Sequence, residues 1–197
     1  MKHYLMRHPA MEASGRCVGQ TDLPLSGEGE ASLVDLLQAV RGLAPDLIVA
    51  SDLRRCRETA EFFARQLDRP FQSDIRWREL HFGAWENRTW DEIRDSDRAA
   101  FEQWSLHFHL DRPTGGESFP ELLQRVQAAT DALPADRSVL VITHAGCLRA
   151  LACALEIVPA ERIFDWEAPY GALFTLDPGQ RLLTRLPAGK PEPAPAC

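Results

Sequence analysis

Three short apolar runs constrain the fold of this chain more than any other feature. Residues 3–6 (His-Tyr-Leu-Met) run into Arg7-His8, residues 46–50 (Asp-Leu-Ile-Val-Ala) into Ser51-Asp52, and residues 138–143 (Ser-Val-Leu-Val-Ile-Thr) into His144. Runs this short, apolar at successive positions, suit strands covered on both faces, as in a central parallel sheet. Helical patterns lie between them. Residues 25–40 carry Leu33, Leu36, Leu37 and Val40 at helical spacing, and residues 51–67 carry Leu53, Ala60, Phe63, Ala64 and Leu67. Thr89-Trp90-Asp91-Glu92 and Ser118-Phe119-Pro120-Glu121 have the form of capping boxes, in which each end residue's side chain accepts the other's backbone N–H. After the second box, Phe119, Leu122, Val126, Ala129 and Leu133 keep the spacing of one buried helix face. Residues 147–157 predict a further helix. Residues 172–176 and 181–186 flank Asp177-Pro178-Gly179-Gln180 and predict a β-hairpin. The alternation of strands and helices predicts an α/β domain with a largely parallel sheet.

The 197 residues suit one domain, large enough to fold without a disulfide or a metal. Against 29 acidic residues stand 22 Lys and Arg, a net charge of −7. Such a chain is a poor general binder of nucleic acid or of an anionic membrane, because both depend on cationic surface. An anionic substrate therefore requires a local basic pocket. The five cysteines are odd in number and form no Cys-x-x-Cys pair, which fits a reducing cytoplasm. The N-terminal residues hold no apolar stretch of signal-peptide length, and no run reaches the roughly 20 residues of a membrane span. Residues 187–197 are Pro-rich and read as a tail.

In open parallel sheets, active sites lie beyond the carboxyl ends of the strands. Arg7-His8, Ser51-Asp52 and His144 fall there. Taken singly, His8 could cap loose backbone groups at a strand end, and His144 could shape a local turn before its helix. Arg54, Arg55 and Arg57 crowd a helix start, where cations oppose the dipole unless an anion binds. Arg54 and Arg57 read as a solvated face paired with Glu58 and Glu61, which leaves Arg55 free to turn toward the strand ends. Residues 78–87 mix carboxylate, imidazole and aromatic side chains around Gly83. His107-x-His109 with Asp111 lacks a third ligand at metal spacing and reads as a solvent-facing helix end. The five tryptophans read chiefly as packing, and Cys147 as a buried, inert thiol rather than an activated one.

In combination and in order, these segments resemble the histidine phosphatase, or phosphoglycerate mutase-like, superfamily over about residues 3–157. Arg7-His8 is similar to its opening Arg-His-Gly, and residues 15–26 to the loop that follows. Ser51-x-Leu53-x-Arg55-x-x-x-Thr59 is similar to its arginine-bearing helix. Residues 79–85 resemble its acid-bearing loop, Gly115-Gly116-Glu117-Ser118 its Gly-Gly-Glu-Ser turn, and Thr143-His144-Ala145-Gly146 its second histidine motif. Two departures stand out: Pro9 replaces the usual glycine, and Ser14 replaces a frequent asparagine. Pro9 fixes φ and removes an N–H, so the first loop must be shaped differently.

The resemblance implies a three-layer α/β/α fold with a mostly parallel central sheet. It implies one domain over 1–186, with a small inserted cap at about 86–135. It implies a metal-independent phosphomonoesterase with no cofactor, acting on a small phosphorylated metabolite and not on nucleic acid or membrane. His8 would be the nucleophile and Glu79 the general acid and base, with Arg7, Arg55 and His144 around the phosphoryl group. Ser14, Gln20, Thr21, Trp85, Glu117 and Ala145 would contact substrate, and Phe82, Trp85, Trp90, Phe108 and Glu117 would wall the pocket. The modest insertion and short C-terminal segment favour a phosphatase. A phosphoglycerate mutase and a non-catalytic phosphate-binding module on the same fold remain as alternatives. Within the superfamily, the Arg-His-Pro start and Gly19-x-x-Asp22-Leu23-Pro24-Leu25 most resemble the α-ribazole phosphatase-type branch.

Overall fold

The apolar runs become strands whose alternate side chains feed two separate cores. The computed structural model describes residues 2–13, 15–177 and 179–187. Its strands are β1 (His3–Arg7), β2 (Arg16–Cys17), β3 (Leu47–Ala50), β4 (Phe71–Ser73), β5 (Arg88–Thr89), β6 (Val139–Thr143), β7 (Leu173–Asp177) and β8 (Leu182–Arg185). Its α-helices are α1 (Gly27–Leu43), α2 (Arg54–Leu67), α3 (Trp90–Ser96), α4 (Arg98–His107), α5 (Phe119–Asp131) and α6 (Ala145–Ala154). The main sheet has the order β4-β3-β6-β1-β7-β8. The first four strands are parallel, and β7 and β8 form the antiparallel hairpin at the other edge. This is the mostly parallel, helix-flanked sheet that the sequence implies.

Because side chains alternate along a strand, the central strands can be apolar throughout and still face two layers. Tyr4, Met6, Ile48, Ala50, Leu140 and Ile142 pack with Leu37 and Val40 of α1 and Cys56, Ala60 and Phe63 of α2. Leu5, Leu47, Val49, Val139 and Val141 pack with Leu122 and Val126 of α5 and Leu148 and Leu151 of α6. Both capping boxes are formed, at Thr89–Glu92 and Ser118–Glu121.

The region expected as an insertion over about 86–135 divides in two. β5, α3 and α4 form a cap, paired with β2 through a two-stranded ribbon. Trp85, Ile93 and Cys17 give this cap a small core of its own, with Phe82, Phe101 and Trp104 packed against it. In contrast, α5 buries Phe119, Leu122, Val126 and Ala129 in the main core and belongs to the helical layer. β4 has no counterpart in the sequence reading, since three residues with one half-buried side chain leave no periodic signal. Among the described residues, no helix is long and apolar enough to cross a membrane. Ser14 and residues 188–197 lie outside the described residues.

One close approach ties α1 to the loop after β1. The Ala10 carbonyl accepts the Ser26 backbone N–H at 3.0 Å and the Ser26 hydroxyl at 3.2 Å. A Cβ added at Gly29 would lie 2.0 Å from the same oxygen. Gly29→Ala is therefore expected to force α1 away from this loop at a cost of about 1–3 kcal/mol, as overpacking does. A thermal melt should show a midpoint several degrees lower, while the control Asp35→Ala, at an exposed position of the same helix, should melt close to wild type.

Candidate active site

β1 and β6 pair in parallel with Arg7 opposite Thr143, so the residues that follow each strand, His8 and His144, emerge side by side. The His8 backbone N–H donates to the Thr143 carbonyl at 2.9 Å, and the two imidazole centroids are 5.1 Å apart. His8 is 2% exposed and His144 is wholly buried. Nδ1 of His8 lies 2.7 Å from the Pro9 carbonyl, which can only accept; Nδ1 therefore carries the proton, and Nε2 of neutral His8 has a free lone pair. Pro9, which departs from the family pattern, thus still supplies the carbonyl that sets the tautomer. Burial, reinforced by the Arg55 and Arg7 charges, pushes the pKa of His8 well below the ordinary 6.5. Burial and Arg55 do the same at His144. Both rings are neutral near pH 7.

Arg55 reaches this pair from the first turn of α2 and is completely buried. Its Nη2 donates to the Gly19 carbonyl at 2.6 Å, Nη1 to the Thr21 carbonyl at 3.0 Å, and Nε to His144 Nδ1 at 3.3 Å. His144 must therefore accept at Nδ1 and hold its proton on Nε2, which lies 3.4 Å from the Cys56 sulfur. The neighbouring arginines behave as the sequence suggests: Arg54 pairs with Glu58 at 2.9 Å and Arg57 with Glu61 at 3.8 Å, all on the outer face. Arg7 donates from Nη1 to the Ala168 carbonyl at 2.7 Å, and its buried Nε has no partner. Among the described residues, neither Arg7 nor Arg55 forms an ion pair with a carboxylate, although thirteen other arginines do.

Glu79 approaches the same centre from the loop before the cap. Its Oε2 accepts the Gly146 N–H at the start of α6 at 3.1 Å, and its Oε1 accepts the Leu80 N–H at 2.9 Å. The approach is close enough that a Cβ at Gly146 would lie 2.0 Å from Oε1. Beside Arg7 and Glu79 opens a cavity of about 300 Å³. Phe82, Trp90, Trp104, Phe108 and Phe164 give it an aromatic wall, and Ala145, Arg149 and Tyr170 also border it.

The residues expected to touch substrate divide. Ala145 borders the cavity, as do Phe82, Trp90 and Phe108. Trp85 does not: it is fully buried in the cap core, and its indole N–H donates to Asp97 at 2.8 Å. Glu117 pairs instead with Arg125 at 2.7 Å, and Arg125 in turn donates to the carbonyls of Arg76, Arg78 and Glu79. Gln20 binds the Glu79 carbonyl at 3.1 Å, and the Thr21 hydroxyl binds Glu86. Gln20, Thr21 and Glu117 therefore brace the loops that carry Glu79 and Arg55. Cys147 is buried beneath the Arg78 carbonyl, and burial pushes its pKa up to about 12, so it is an inert thiol.

No role is assigned to Glu86 from sequence beyond its place in the mixed polar and aromatic loop 78–87. Its carboxylate accepts the backbone N–H groups of Gly19, Gln20, Thr21 and Phe82 at 2.8–3.1 Å, and the Thr21 hydroxyl at 2.5 Å. The carbonyls of that same loop, at Gly19 and Thr21, hold Arg55. Burial raises the Glu86 pKa, but the Thr21 hydroxyl and the amides of Phe82, Gln20 and Thr21 outweigh it, and the net shift is below the ordinary 4.5. Its position immediately after Trp85 in a mixed polar and aromatic loop is the one signal that singles it out.

The sequence matches the family described as "Histidine phosphatase superfamily (branch 1)" over residues 3–184. An adenosylcobalamin/alpha-ribazole phosphatase of Escherichia coli is 28% identical over 189 residues, covering 93% of each chain. A protein of Salmonella paratyphi C named "Probable phosphoglycerate mutase GpmB" is 33% identical over 162 residues, covering 80% of this chain and 75% of that one. The crystal structure of the alpha-ribazole phosphatase from Shigella flexneri superposes with a TM-score of 0.86 at 25% identity over 97% of both chains.

Glu86→Gln keeps the shape of the side chain but turns an amide toward backbone donors. We expect it to destabilise the fold by about 3 kcal/mol, the scale of hydrogen bonds to a charged group. The folded carboxyl titrates below its unfolded value, so its stabilisation is complete above the ordinary 4.5 and is lost as pH falls toward the folded value. Urea unfolding should therefore separate wild type from variant fully at pH 7, with the gap closing below the ordinary carboxylate pKa.

Proposed function

The chain belongs to the histidine phosphatase superfamily and acts as a phosphatase on a small phosphate, and from that premise we propose that it hydrolyses phosphomonoesters through a phosphohistidine on His8. One observation carries this reading: two guanidiniums, without carboxylate partners among the described residues, flank a neutral imidazole whose Nε2 is unprotonated. A buried cation is costly unless paired, and a tetrahedral dianion is the partner that this geometry accepts.

His8 Nε2 attacks phosphorus in line, and the bond to the leaving oxygen breaks as the new N–P bond forms. Arg7 and the remaining N–H groups of Arg55 hold the equatorial oxygens and stabilise the charge spreading over them, while His144, accepting from Arg55 at Nδ1, keeps that guanidinium in place. Glu79 gives a proton to the departing alkoxide. The resulting carboxylate then takes a proton from water as the water attacks phosphorus and releases His8. The two guanidiniums supply the positive charge that this scheme needs, so no metal enters it.

The substrate class follows from the cavity beside Glu79, where the leaving group would lie. Its aromatic wall suits an ester whose alcohol carries a flat apolar group, rather than a bare sugar phosphate. The Escherichia coli and Shigella flexneri relatives are named for α-ribazole. We therefore place α-ribazole 5′-phosphate first among candidate substrates, with cytoplasmic small-molecule metabolism as the setting.

Phosphate release should be measured in EDTA from α-ribazole 5′-phosphate, an aryl phosphate, a nucleoside monophosphate and 3-phosphoglycerate. Wild type should prefer the esters with aromatic leaving groups by at least tenfold in kcat/KM, and folded His8→Ala should release no phosphate above background. Near-normal release by that variant would remove His8 as the nucleophile. Isomerisation of 3-phosphoglycerate without net hydrolysis would replace the phosphatase reading with a mutase. A second expectation concerns pH. The lowered pKa of His8 keeps it neutral in mild acid, so the acid limb of kcat/KM attributable to the free enzyme's histidines should lie clearly below pH 6.5.

A further inference from the structure

Nothing in the sequence reading singles out Tyr170, yet its ring touches both members of the Arg7-His8 pair. The Arg7 guanidinium carbon lies 3.8 Å from the Tyr170 ring centroid. The His8 ring is 5.4 Å away, tilted by 53°. The segment that carries Tyr170 is pinned to the end of β1 on both sides. The Gly171 N–H donates to the Arg7 and His8 carbonyls at 3.2 and 3.3 Å, the Arg7 N–H donates to the Ala172 carbonyl at 3.1 Å, and Arg7 Nη1 donates to the Ala168 carbonyl at 2.7 Å. The ring is thereby placed by backbone bonds that do not involve its own side chain.

Arg7 needs such a support. A single hydrogen bond fixes one corner of a guanidinium but leaves its plane free to turn. Nε of Arg7 has no partner, and no carboxylate pairs with the group among the described residues. A ring face against the guanidinium adds the missing constraint, since the cation is held parallel to or over the π surface. The Tyr170 hydroxyl makes no hydrogen bond to the described residues, so the ring and not the hydroxyl does this. Tyr170 is also 41% exposed and borders the aromatic cavity, which places it between the phosphoryl centre and the leaving-group wall.

We infer that Tyr170 is a positioning residue: its ring sets the plane of the Arg7 guanidinium so that Arg7 meets the equatorial oxygens of the phosphoryl group in the transition state. The inference rests on the phosphatase reading above. A wrongly turned Arg7 weakens transition-state binding more than substrate binding, so the loss falls on kcat. A residue that merely walled the cavity would instead alter KM, and only for substrates that reach the wall.

Three proteins separate these cases: wild type, Tyr170→Phe, which keeps the ring, and Tyr170→Leu, which keeps bulk without a π face. Tyr170→Met serves the same comparison if the leucine variant does not melt cooperatively. With p-nitrophenyl phosphate and with glycerol phosphate, Tyr170→Leu should lose about tenfold in kcat on both, the scale of a partly desolvated cation–π contact. KM should change less than threefold, and Tyr170→Phe should stay within twofold of wild type throughout. Orthovanadate, titrated calorimetrically, should bind the leucine variant about tenfold more weakly and the phenylalanine variant as tightly as wild type. Unchanged kcat and vanadate affinity in Tyr170→Leu, or a loss confined to KM for the aryl ester, would overturn the assignment. Absence of phosphate release by wild type would instead defeat the phosphatase reading. The vanadate titration would still decide the role of Tyr170, because it requires an oxyanion site and no turnover.

Discussion

Arg55 is a full positive charge with no exposed surface and, among the described residues, no carboxylate against it, and much of the structure is arranged to make that tolerable. Two backbone carbonyls and one imidazole nitrogen take three of its five donors. Those acceptors are dipoles, not counter-charges, so the site retains an unmet demand for an anion. Energetically this is a poor way to stabilise a fold, because the desolvation of a buried ion is repaid in full only by a partner of opposite sign. It is an effective way to prepare a phosphate site, since the cation is already dehydrated and oriented before the dianion arrives. The neutrality of His8 and His144 belongs to the same balance: further positive charge in this volume would be prohibitive, and both imidazoles have pKa values well below 6.5.

The acceptors of Arg55 are themselves held from the cap. Glu86 gathers the amides of residues 19–21, so the carbonyls of that loop face Arg55 while its N–H groups face the carboxylate. The loop thus lies between a fixed anion and a fixed cation. Glu86 follows the Trp85 indole, which is anchored in the cap's own core. Cap packing, loop conformation and phosphoryl site are in this way one connected arrangement. A second brace, the Glu117–Arg125 pair, fixes the carbonyls of residues 76–79 and with them the approach of Glu79.

Several elements were legible because their signals are local. The capping boxes at Thr89 and Ser118 need only four residues each, and both formed. The hairpin of β7 and β8 follows from two short apolar runs around a turn sequence. Arg55 could be separated from Arg54 and Arg57 because a helix places Glu58 and Glu61 four residues along the outer face from its two neighbours. Other assignments lay beyond local reasoning. Trp85, Trp90 and Trp104 occupy one aromatic-rich stretch, yet Trp85 is locked to Asp97 inside the cap while the other two face the cavity. Glu79, Glu86 and Glu117 are chemically identical, and only their partners decide that Glu79 borders the cavity, Glu86 cradles a loop and Glu117 pairs with Arg125.

What the sequence determined by itself is the α/β class, the central strands and the residues standing at their carboxyl ends, because burial pattern and strand direction are written in neighbouring positions. The family resemblance extended this to the set Arg7, His8, Arg55, Glu79 and His144. The tertiary structure alone decided how that set is completed. The in-register pairing of β1 with β6 brings together residues 8 and 144, the packing of the cap selects Glu86, and the return of the chain before β7 lays Tyr170 on Arg7. Each of these depends on contacts between segments far apart in the chain. Such contacts leave no periodic trace in sequence, because what fixes them is the volume and hydrogen-bonding demand of the partner rather than the pattern of neighbours.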